Sequence, residues 1–445
     1  MRRLVALVAI GAVWLGAACG ARAAARGMPA AAVGSIREMP LGAFTDAYPF
    51  GIASGPDGDI WFAQLGCIGS GRCWIGRLST GGALEHLAVP RGSVPFALAA
   101  GPDGDVWFTD AGRRPAIGRI TPRGSLTEFH LRHGSVPFEI ALGRDGDMWF
   151  TDQGSRPAIG RITPGGAITE FGLRRGSIPF GIAVGSSRVG MWFTDRGCSV
   201  SGACAIGRIT NSGRVSESAA GLRAGAQPLG IAAGFGGGAW FADSSGAIGR
   251  ASPNGHVSES RRGLPAGSSP VAVAPGPDGA IWFSDEGARP AIGRVSPTGR
   301  VQEFSAGLLP GSEPAYLAPM SDGRVWFSDE GSTTALGAIQ TTAPPAERIG
   351  PSLSPLRPVT GSPVHCRPGH WVTWDGLHAS TSAFASDGYS WLRRGAPIPG
   401  ARDGSFTPTG AGARLACAET VTYPPPLTVT ARVASASAAV APAAG

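Results

Sequence analysis

The sequence contains no lysine, and all 38 of its basic residues are arginine. Only 16% of the 445 residues are charged, and the net charge of +7 comes from scattered arginines rather than from a basic run. A nucleic-acid-binding chain usually carries basic clusters interleaved with aromatic residues. The absence of such clusters predicts that nucleic acid is not a partner.

Long apolar runs are also absent after the N-terminus, which predicts a chain with no transmembrane helix. The one apolar run, residues 4–18, follows Arg2 and Arg3 and precedes the small-residue site around Ala23. This pattern predicts a signal peptide over residues 1–25 and a secreted or cell-envelope protein. Cys19 leaves open a lipid-anchored N-terminus, although Gly16 stands where lipoprotein signals usually carry leucine.

The remaining six cysteines fall into three pairs along the chain. They are Cys67 with Cys73, Cys198 with Cys204, and Cys366 with Cys417. An even, paired set in an exported chain predicts three disulfides. A metal site is the less favoured alternative, because no histidine lies near either short pair.

Glycine and proline are abundant, with 70 and 38 copies. At 43% hydrophobic residues the chain can still bury a core. The two observations together favour many short strands separated by turns, an all-β fold, over a helical bundle or a disordered chain.

A Trp-Phe pair recurs seven times, at intervals of 42 to 48 residues. The copies begin at residues 61, 107, 149, 192, 240, 282 and 326. Around each copy lie an opening proline with a short apolar segment, an Asp-Gly turn in five copies, an Ile-Gly-Arg segment in most copies, and an alternating segment. Four short strands in each repeat are typical of a β-propeller blade. The sequence therefore predicts a seven-bladed propeller over residues 34–342.

The last repeat has no fourth strand of its own, whereas residues 36–40 match that strand of the template. We expect the N-terminal segment to complete the seventh blade and so to close the propeller without an open sheet edge.

The C-terminal third of the chain predicts a second domain. Five prolines indicate a stiff linker over residues 343–358. Beyond it, Cys366, Trp391 and Cys417 follow one another in the pattern of an immunoglobulin-like β-sandwich, which we place at residues 359–432. The Ala-rich residues 433–445 predict a disordered tail. We expect a monomer.

The blade template resembles the virginiamycin B lyase (streptogramin B lyase) family. The resemblance is carried by Pro-Phe-Gly-Ile-Ala at 49–53, Gly-Pro-Asp-Gly-Asp-Ile-Trp-Phe at 55–62 and Ile-Gly-Arg-Ile-Thr at 117–121. It implies a seven-bladed propeller and a Mg-dependent elimination that opens cyclic streptogramin B antibiotics, with a catalytic set on the last two blades. Among the family's positions, Glu313 and Glu330 match its carboxylates and imply a possible Mg²⁺ site.

The two histidines of the family's set are missing. Their positions hold Val271 and Ala315, which cannot remove a proton, so no residue is assigned a catalytic role. Three functions follow as alternatives. The first is an exported binding or scaffold propeller for a small molecule, glycan or protein. The second is a lyase that uses another base, such as Glu313 made more basic by burial. The third is a structural envelope protein with no small ligand.

Residues after the opening prolines give a candidate ligand face, at Phe50, Phe96, Phe138, Phe180, Glu139 and Tyr316. The alternative for its aromatic residues is ordinary core packing of the inner strands, and for Glu139, expected at the rim, a solvated loop acid. Six Asp residues after the Trp-Phe pairs are expected to form ion pairs with the Ile-Gly-Arg arginines of their own blades.

Overall fold

In the computed structural model, strands and turns are described over much of the chain. The described residues are 32–41, 48–65, 73–197, 204–234, 237–296, 298–320, 322–342, 346–349, 351–368, 370–372, 385–422 and 430–443. The predicted signal peptide, Cys19, Cys67 and Cys198 lie outside them. Cys73 and Cys204 are each disulfide-bonded. The described residues include no helix with the length and apolar character needed to cross a membrane.

Seven four-stranded antiparallel sheets follow one another along the chain, and each is one blade of a propeller. Blades one to three consist of β2 (Pro49–Ser54), β3 (Ile60–Gln64), β4 (Trp74–Leu78), β5 (Leu84–Ala88); β6 (Pro95–Ala100), β7 (Val106–Asp110), β8 (Ala116–Ile120), β9 (Leu126–His130); β10 (Pro137–Leu142), β11 (Met148–Asp152), β12 (Ala158–Ile162), β13 (Ile168–Gly172).

Blades four to six repeat the same order from inner to outer strand. They consist of β14 (Pro179–Val184), β15 (Met191–Asp195), β16 (Ala205–Ile209), β17 (Val215–Ser218); β18 (Pro228–Ala233), β19 (Ala239–Asp243), β20 (Ala247–Ala251), β21 (Val257–Ser260); β22 (Pro270–Pro275), β23 (Ile281–Asp285), β24 (Ala291–Val295), β25 (Val301–Phe304).

The seventh blade joins the two ends of the propeller, as the sequence predicts. It consists of β26 (Pro314–Pro319), β27 (Arg324–Asp329), β28 (Ala335–Gln340) and, as its outer strand, β1 (Ile36–Pro40). In the register of this pairing Ile36 lies opposite Ile339 and Glu38 opposite Gly337. The seven-bladed, ring-closed all-β prediction is confirmed.

The second strand of each blade is buried on both faces, which explains the glycine of the Ile-Gly-Arg motif. In blade three Phe150 lies opposite Gly160 on the neighbouring strand. A Cβ atom on Gly160 would lie 2.0 Å from Cζ of the Phe150 ring. The ring therefore occupies the space that any other residue at position 160 would need, and the same relationship recurs in the other blades.

The predicted ion pairs between the blade Asp residues and the Ile-Gly-Arg arginines are wrong. Asp110 lies opposite Ala116, whereas Arg119 lies opposite Trp107, three residues further along the strand. Three residues of a strand span about 10 Å, which is too far for an ion pair. The arginines pair instead with the hairpin acids, as Arg77 does with Asp57 and Asp59, Arg119 with Asp103 and Asp105, Arg161 with Asp147, and Arg294 with Asp278.

The blade Asp residues have a backbone role instead. Oδ1 of Asp110 accepts hydrogen bonds from the N–H groups of Val94 and Gly112, both at 2.7 Å. The equivalent Asp of blades three to seven does the same at its own loop. These carboxylates therefore fix the loops that precede and follow the inner strands.

The C-terminal residues form three further sheets. Their strands are β29 (Ala346–Ile349), β30 (Ser352–Ser354), β31 (Val364–Arg367), β32 (His370–Val372), β33 (Ala385–Arg393), β34 (Ala396–Pro397), β35 (Ser405–Phe406), β36 (Arg414–Thr422), β37 (Thr430–Ala434) and β38 (Ala438–Ala439). The predicted disulfide joins Cys366 on β31 to Cys417 on β36, in different sheets. Trp391 lies opposite Cys417 and packs with both cysteines in the core.

Two boundaries differ from the predicted ones. Strands β29 and β30 lie inside the predicted linker and pair with β32 and β31, so this segment is part of the C-terminal sheets. The tail is not a disordered extension over its described residues, because β38 pairs with β36 and Val440 is 3% exposed in the core. A Pro-rich or Ala-rich composition is unusual for a strand, so composition alone did not predict these strands.

Candidate functional site

Each inner strand contains a β-bulge directly after its opening proline. In blade one Pro49 pairs with Gln64 and Ile52 pairs with Phe62, so Phe50 and Gly51 together oppose one residue. The same register shift occurs in all seven blades. A bulge re-aims the side chains that it carries. The bulge therefore determines the direction of the two side chains that follow each opening proline.

In blades one to four the first residue after the opening proline is a phenylalanine, and these four residues form an aromatic cluster on one half of the propeller. Ring centroids of Phe50 and Phe96 are 5.4 Å apart, those of Phe96 and Phe138 are 5.2 Å apart, and those of Phe138 and Phe180 are 4.5 Å apart. Tyr316 joins the cluster at 4.6 Å from Phe50. All five rings are half-buried, so they pack on one another and still leave part of their surface accessible.

The other half of the same ring carries smaller side chains, at Leu229, Val271 and Ala315. Carboxyl groups lie beside them on blades six and seven, and the backbone explains their position. In blades two to seven the residue after the blade Asp donates its N–H to the carbonyl of the residue before the opening proline. In blade seven the N–H of Glu330 donates to the carbonyl of Glu313, at 3.0 Å. In blade six they are Glu286 and Ser269, at 3.2 Å. We call Glu286, Glu313 and Glu330 the mouth acids.

The mouth acids interact electrostatically with one another. Burial raises the pKa of Glu330 to about 7, with Glu286 and Glu313 adding to the increase and a hydrogen bond from Tyr48 opposing it. Burial and the charge of Glu313 raise the pKa of Glu286 to about 7. Glu313 itself is exposed. The hypothesis that Glu313 acts as the base requires this residue to be buried, and it is not.

Glu330 is the most constrained of the three. The Tyr48 hydroxyl donates to its carboxylate, and burial and the negative charge of Glu330 raise the pKa of Tyr48 to about 12. Its Oε1 atom is buried and has no hydrogen-bond partner among the described residues. A buried carboxylate oxygen without a partner is costly, so this atom can accept a donor from a ligand.

The residues present do not fit the magnesium site that the family resemblance implies. Val271 and Ala315 offer no side-chain donor, and Ala315 is 1% exposed. No group of three or more His, Cys, Asp or Glu residues in the described parts of the chain is placed to hold a metal ion. Glu313 and Glu330 lie close enough for the charge of Glu313 to add to the raised pKa of Glu330, and both belong to the mouth acids.

Glu139 lies in the central channel rather than at the rim, where the sequence suggested it. The second residues after the seven prolines line one cavity, and they are Gly51, Ala97, Glu139, Gly181, Gly230, Ala272 and Tyr316. This cavity has about 530 Å³ of free space, counting the part that is open to solvent. Burial raises the pKa of Glu139 to about 8. Only Glu139 and Tyr316 among these seven residues carry a polar side chain.

Sequence analysis missed three residues of the mouth, Glu286, Tyr48 and Arg196. Arg196 lies over the Phe180 ring, with its guanidinium carbon 5.0 Å from the centroid. Glu286, Arg196 and Glu330 hold the same position in blades six, four and seven, directly after the blade Asp. Aligning the repeats at that position would have found them, because the other blades have Leu65, Ala111, Gln153 and Ser244 there.

The described fold and site can be compared with known proteins. The family model for the virginiamycin B lyase family matches residues 69–259 and 224–347. The chain belongs to the virginiamycin B lyase family. A search of curated proteins found no match.

Solved structures agree with this family and fold. A streptogramin B lyase structure is 33% identical, with a TM-score of 0.59, over 68% of this chain and 96% of its own. The WD40 β-propeller domain of Doa1 is 12% identical with a TM-score of 0.52, over 69% of this chain and 96% of its own. The structure of YCF48 bound to a D1 peptide is 14% identical with a TM-score of 0.52, over 70% of this chain and 98% of its own. The last two likenesses show the propeller fold alone.

Proposed function

We propose that this member of the virginiamycin B lyase family is an exported binding protein that holds its ligand at the propeller mouth without cleaving it. The ligand would have an apolar or aromatic face and a hydrogen-bond donor or cationic group. The observation that carries the proposal is the division of the mouth into an aromatic half and an acidic half with an unpartnered Glu330 oxygen.

The aromatic half supports the apolar part of the ligand. Phe50, Phe96, Phe138 and Phe180 are packed against one another before any ligand arrives. Rigid aromatic surface binds apolar groups with little loss of side-chain entropy, and such residues often dominate binding energy.

The acidic half supports the donor group and argues against the family reaction. The positions of the family's histidines hold Val271 and Ala315, which leaves the elimination without its imidazole base. Export is supported by the disulfide between Cys366 and Cys417 and by the bonded state of Cys73 and Cys204, since disulfides persist mainly in oxidising compartments.

Virginiamycin B is the probe that tests this proposal. Purified protein with Mg²⁺ is titrated calorimetrically, and the mixture is then analysed by chromatography for the linear product. We expect binding and an intact ring. Phe138→Ala should weaken binding by about tenfold, as loss of a central aromatic residue usually does. Glu330→Gln should weaken it too, whereas Glu85→Gln, at an exposed outer-strand acid, should not. Absence of binding, or ring opening, would contradict the proposal.

A lyase that uses a carboxylate base is the second candidate. The specific observation in its favour is that the pKa values of Glu286 and Glu330 are raised to about 7, which suits a general base at neutral pH. Ring opening by the unaltered protein that is abolished in Glu330→Gln would establish this candidate. Ring opening only after Val271→His combined with Ala315→His would show a competent scaffold that lacks the base. Because Ala315 is buried, a thermal melt of that variant is a necessary control.

A further inference from the structure

We propose that the central channel of the propeller is a binding site for a small primary ammonium group, held by the Glu139 carboxylate and the Tyr316 hydroxyl. The mouth acids do not line this channel, whereas Phe180 and Tyr316 belong both to its wall and to the aromatic cluster. Every blade contributes at least one residue to its wall.

The half-buried Glu139 side chain is an exception among the residues at this position of the blades. Five of the seven equivalent positions hold Gly or Ala. At Gly51 this is required, because a Cβ atom there would lie 2.3 Å from the carbonyl oxygen of Phe96 in the next blade. Glu139 instead places a carboxyl group among these small residues, and burial raises the pKa of that group. The described residues supply no hydrogen-bond partner for this carboxyl group.

The channel suits a cation rather than an anion. No Arg or His is among the residues that line it. The backbone N–H groups that an anion would need are already used at Ala97, Glu139, Gly181, Ala272 and Tyr316. Each donates to a Thr or Ser hydroxyl of its own blade, at 2.9 to 3.1 Å.

The donor set favours an ammonium group over a divalent metal ion. One carboxylate and one phenol are too few oxygen ligands for Mg²⁺ or Ca²⁺ without many waters. An ammonium group has three donors, and its alkyl part can lie against Ile52, Leu98 and Leu317, which also line the cavity.

Charge balance gives this site a measurable signature. Glu139 is largely protonated at neutral pH, so an arriving R–NH₃⁺ converts the carboxyl group to a carboxylate, and one proton leaves to the buffer. Other charged residues act on Tyr316. Burial and the charges of Glu139, Glu330 and Glu286 raise the pKa of Tyr316, whereas the charge of Arg196 lowers it. The pH dependence of binding should therefore follow Glu139 but be modulated by the mouth.

The test is calorimetric titration of the full chain with n-butylammonium, with n-butanol as the neutral probe and acetate as the anionic one. We expect n-butylammonium to bind about tenfold or more tightly than n-butanol, as a charge-assisted hydrogen bond provides. Binding at neutral pH should release a proton, seen as a heat that depends on the ionisation enthalpy of the buffer. Affinity should rise with pH toward the pKa of Glu139.

Two variants test the role of Glu139. Glu139→Gln should lose both the affinity difference and the proton release, whereas Glu85→Gln, at an exposed outer-strand acid, should keep them. If Glu139→Gln does not fold, Glu139→Gly replaces it, because glycine occupies this position at Gly51, Gly181 and Gly230. Equal binding of n-butanol, binding of acetate, no binding of n-butylammonium, or an unchanged Glu139→Gln would each overturn the proposal.

Discussion

Glu38 in the first described strand and Ser312 in the seventh blade are joined by a hydrogen bond. Ser312 Oγ lies 3.0 Å from Oε1 of Glu38, and the backbone N–H of Leu309 also donates to the Glu38 carboxylate. Ser312 Oγ lies 2.6 Å from Oδ2 of Asp329 as well. The strand that closes the propeller is therefore fixed by side-chain contacts in addition to its backbone pairing with β28.

The first prediction concerns this closing strand. Glu38→Ala should lower the free energy of unfolding by about 1–3 kcal/mol, because it leaves the Leu309 N–H without its acceptor and removes one of the two carboxylates that contact Ser312. Denaturant unfolding measures the change, with Arg37→Ala, at an exposed neighbour, as the control. Deletion of residues 34–41 should lower the melting temperature of the whole propeller. A truncated protein that melts like the parent would refute the role of this strand in closure.

The second prediction concerns hydroxyl groups that connect neighbouring blades. Thr151 Oγ1 accepts the N–H of Glu139 in its own blade and donates to the carbonyl of Phe180 in the next one, at 3.0 and 2.9 Å. Thr109, Thr194 and Ser284 connect other blades in the same way. Thr151→Val should cost about 1–3 kcal/mol of unfolding free energy, since the partly buried Glu139 N–H and Phe180 carbonyl lose their partner.

Thr151→Ser is the matched control for this variant. It keeps the hydroxyl group, and serine stands at the equivalent position in blades six and seven, as Ser284 and Ser328. The control should therefore retain most of the stability that Thr151→Val loses. Stability of Thr151→Val equal to that of the parent protein would show that these hydrogen bonds do not stabilise the fold.

The third prediction concerns the C-terminal disulfide. Cys366 and Cys417 are separated by 51 residues, and a bond across such a loop stabilises a fold by about 2–4 kcal/mol. Replacing both cysteines with alanine should increase amide hydrogen exchange in β31 and β36. Exchange in a distant blade strand such as β11 should not change and serves as the internal control. Equal protection of β31 and β36 in the variant would contradict this expectation.

The sequence predicted the parts of the fold that depend on local repetition. The Trp-Phe copies and their turns determine the number of blades, and the missing last strand identified Ile36–Pro40 as its replacement. The partners of Asp110 were mispredicted because they depend on which end of the strand the residue occupies. Burial of Val440 was missed because its neighbours come from strands far away in the sequence.

The candidate site was predicted only in part for a related reason. Phe50, Phe96, Phe138 and Phe180 occupy a repeated position, so they were identified, and the structure brings them together. Glu286 follows its blade Asp as Glu330 does, but its interaction with Glu313 and Glu330 depends on the fold placing blade six next to blade seven. Whether a repeated side chain points to the mouth or into the channel, as for Glu139, depends on the bulge.

The fourth prediction concerns pH and rests on pairs of carboxyl groups inside the blades. In six blades the blade Asp lies near a Glu of the outer strand. The pairs are Asp110 with Glu128, Asp152 with Glu170, Asp195 with Glu217, Asp243 with Glu259, Asp285 with Glu303, and Asp329 with Glu38. In blade one the two positions hold Gln64 and His86 instead.

Burial raises the pKa of each of these Glu residues, with the neighbouring Asp adding to the increase, and the pKa of Glu217, Glu259 and Glu303 rises to about 7. The folded protein therefore keeps protons that the unfolded chain, with an ordinary Glu pKa near 4.5, releases. This contribution is fully present below the unfolded pKa and is lost as the pH rises through about 7. Denaturant unfolding should consequently show lower stability at pH 8 than at pH 5.

Glu303→Gln is the variant that tests the cause of this dependence. A glutamine can donate a hydrogen bond to Asp285 at any pH, so the variant should show a smaller loss of stability between pH 5 and pH 8 than the parent. Glu85→Gln, on the exposed outer strand of blade one, should leave the pH dependence unchanged. Stability that stays constant or increases over this pH range in the parent protein would show that the carboxyl pairs do not share protons in the folded state.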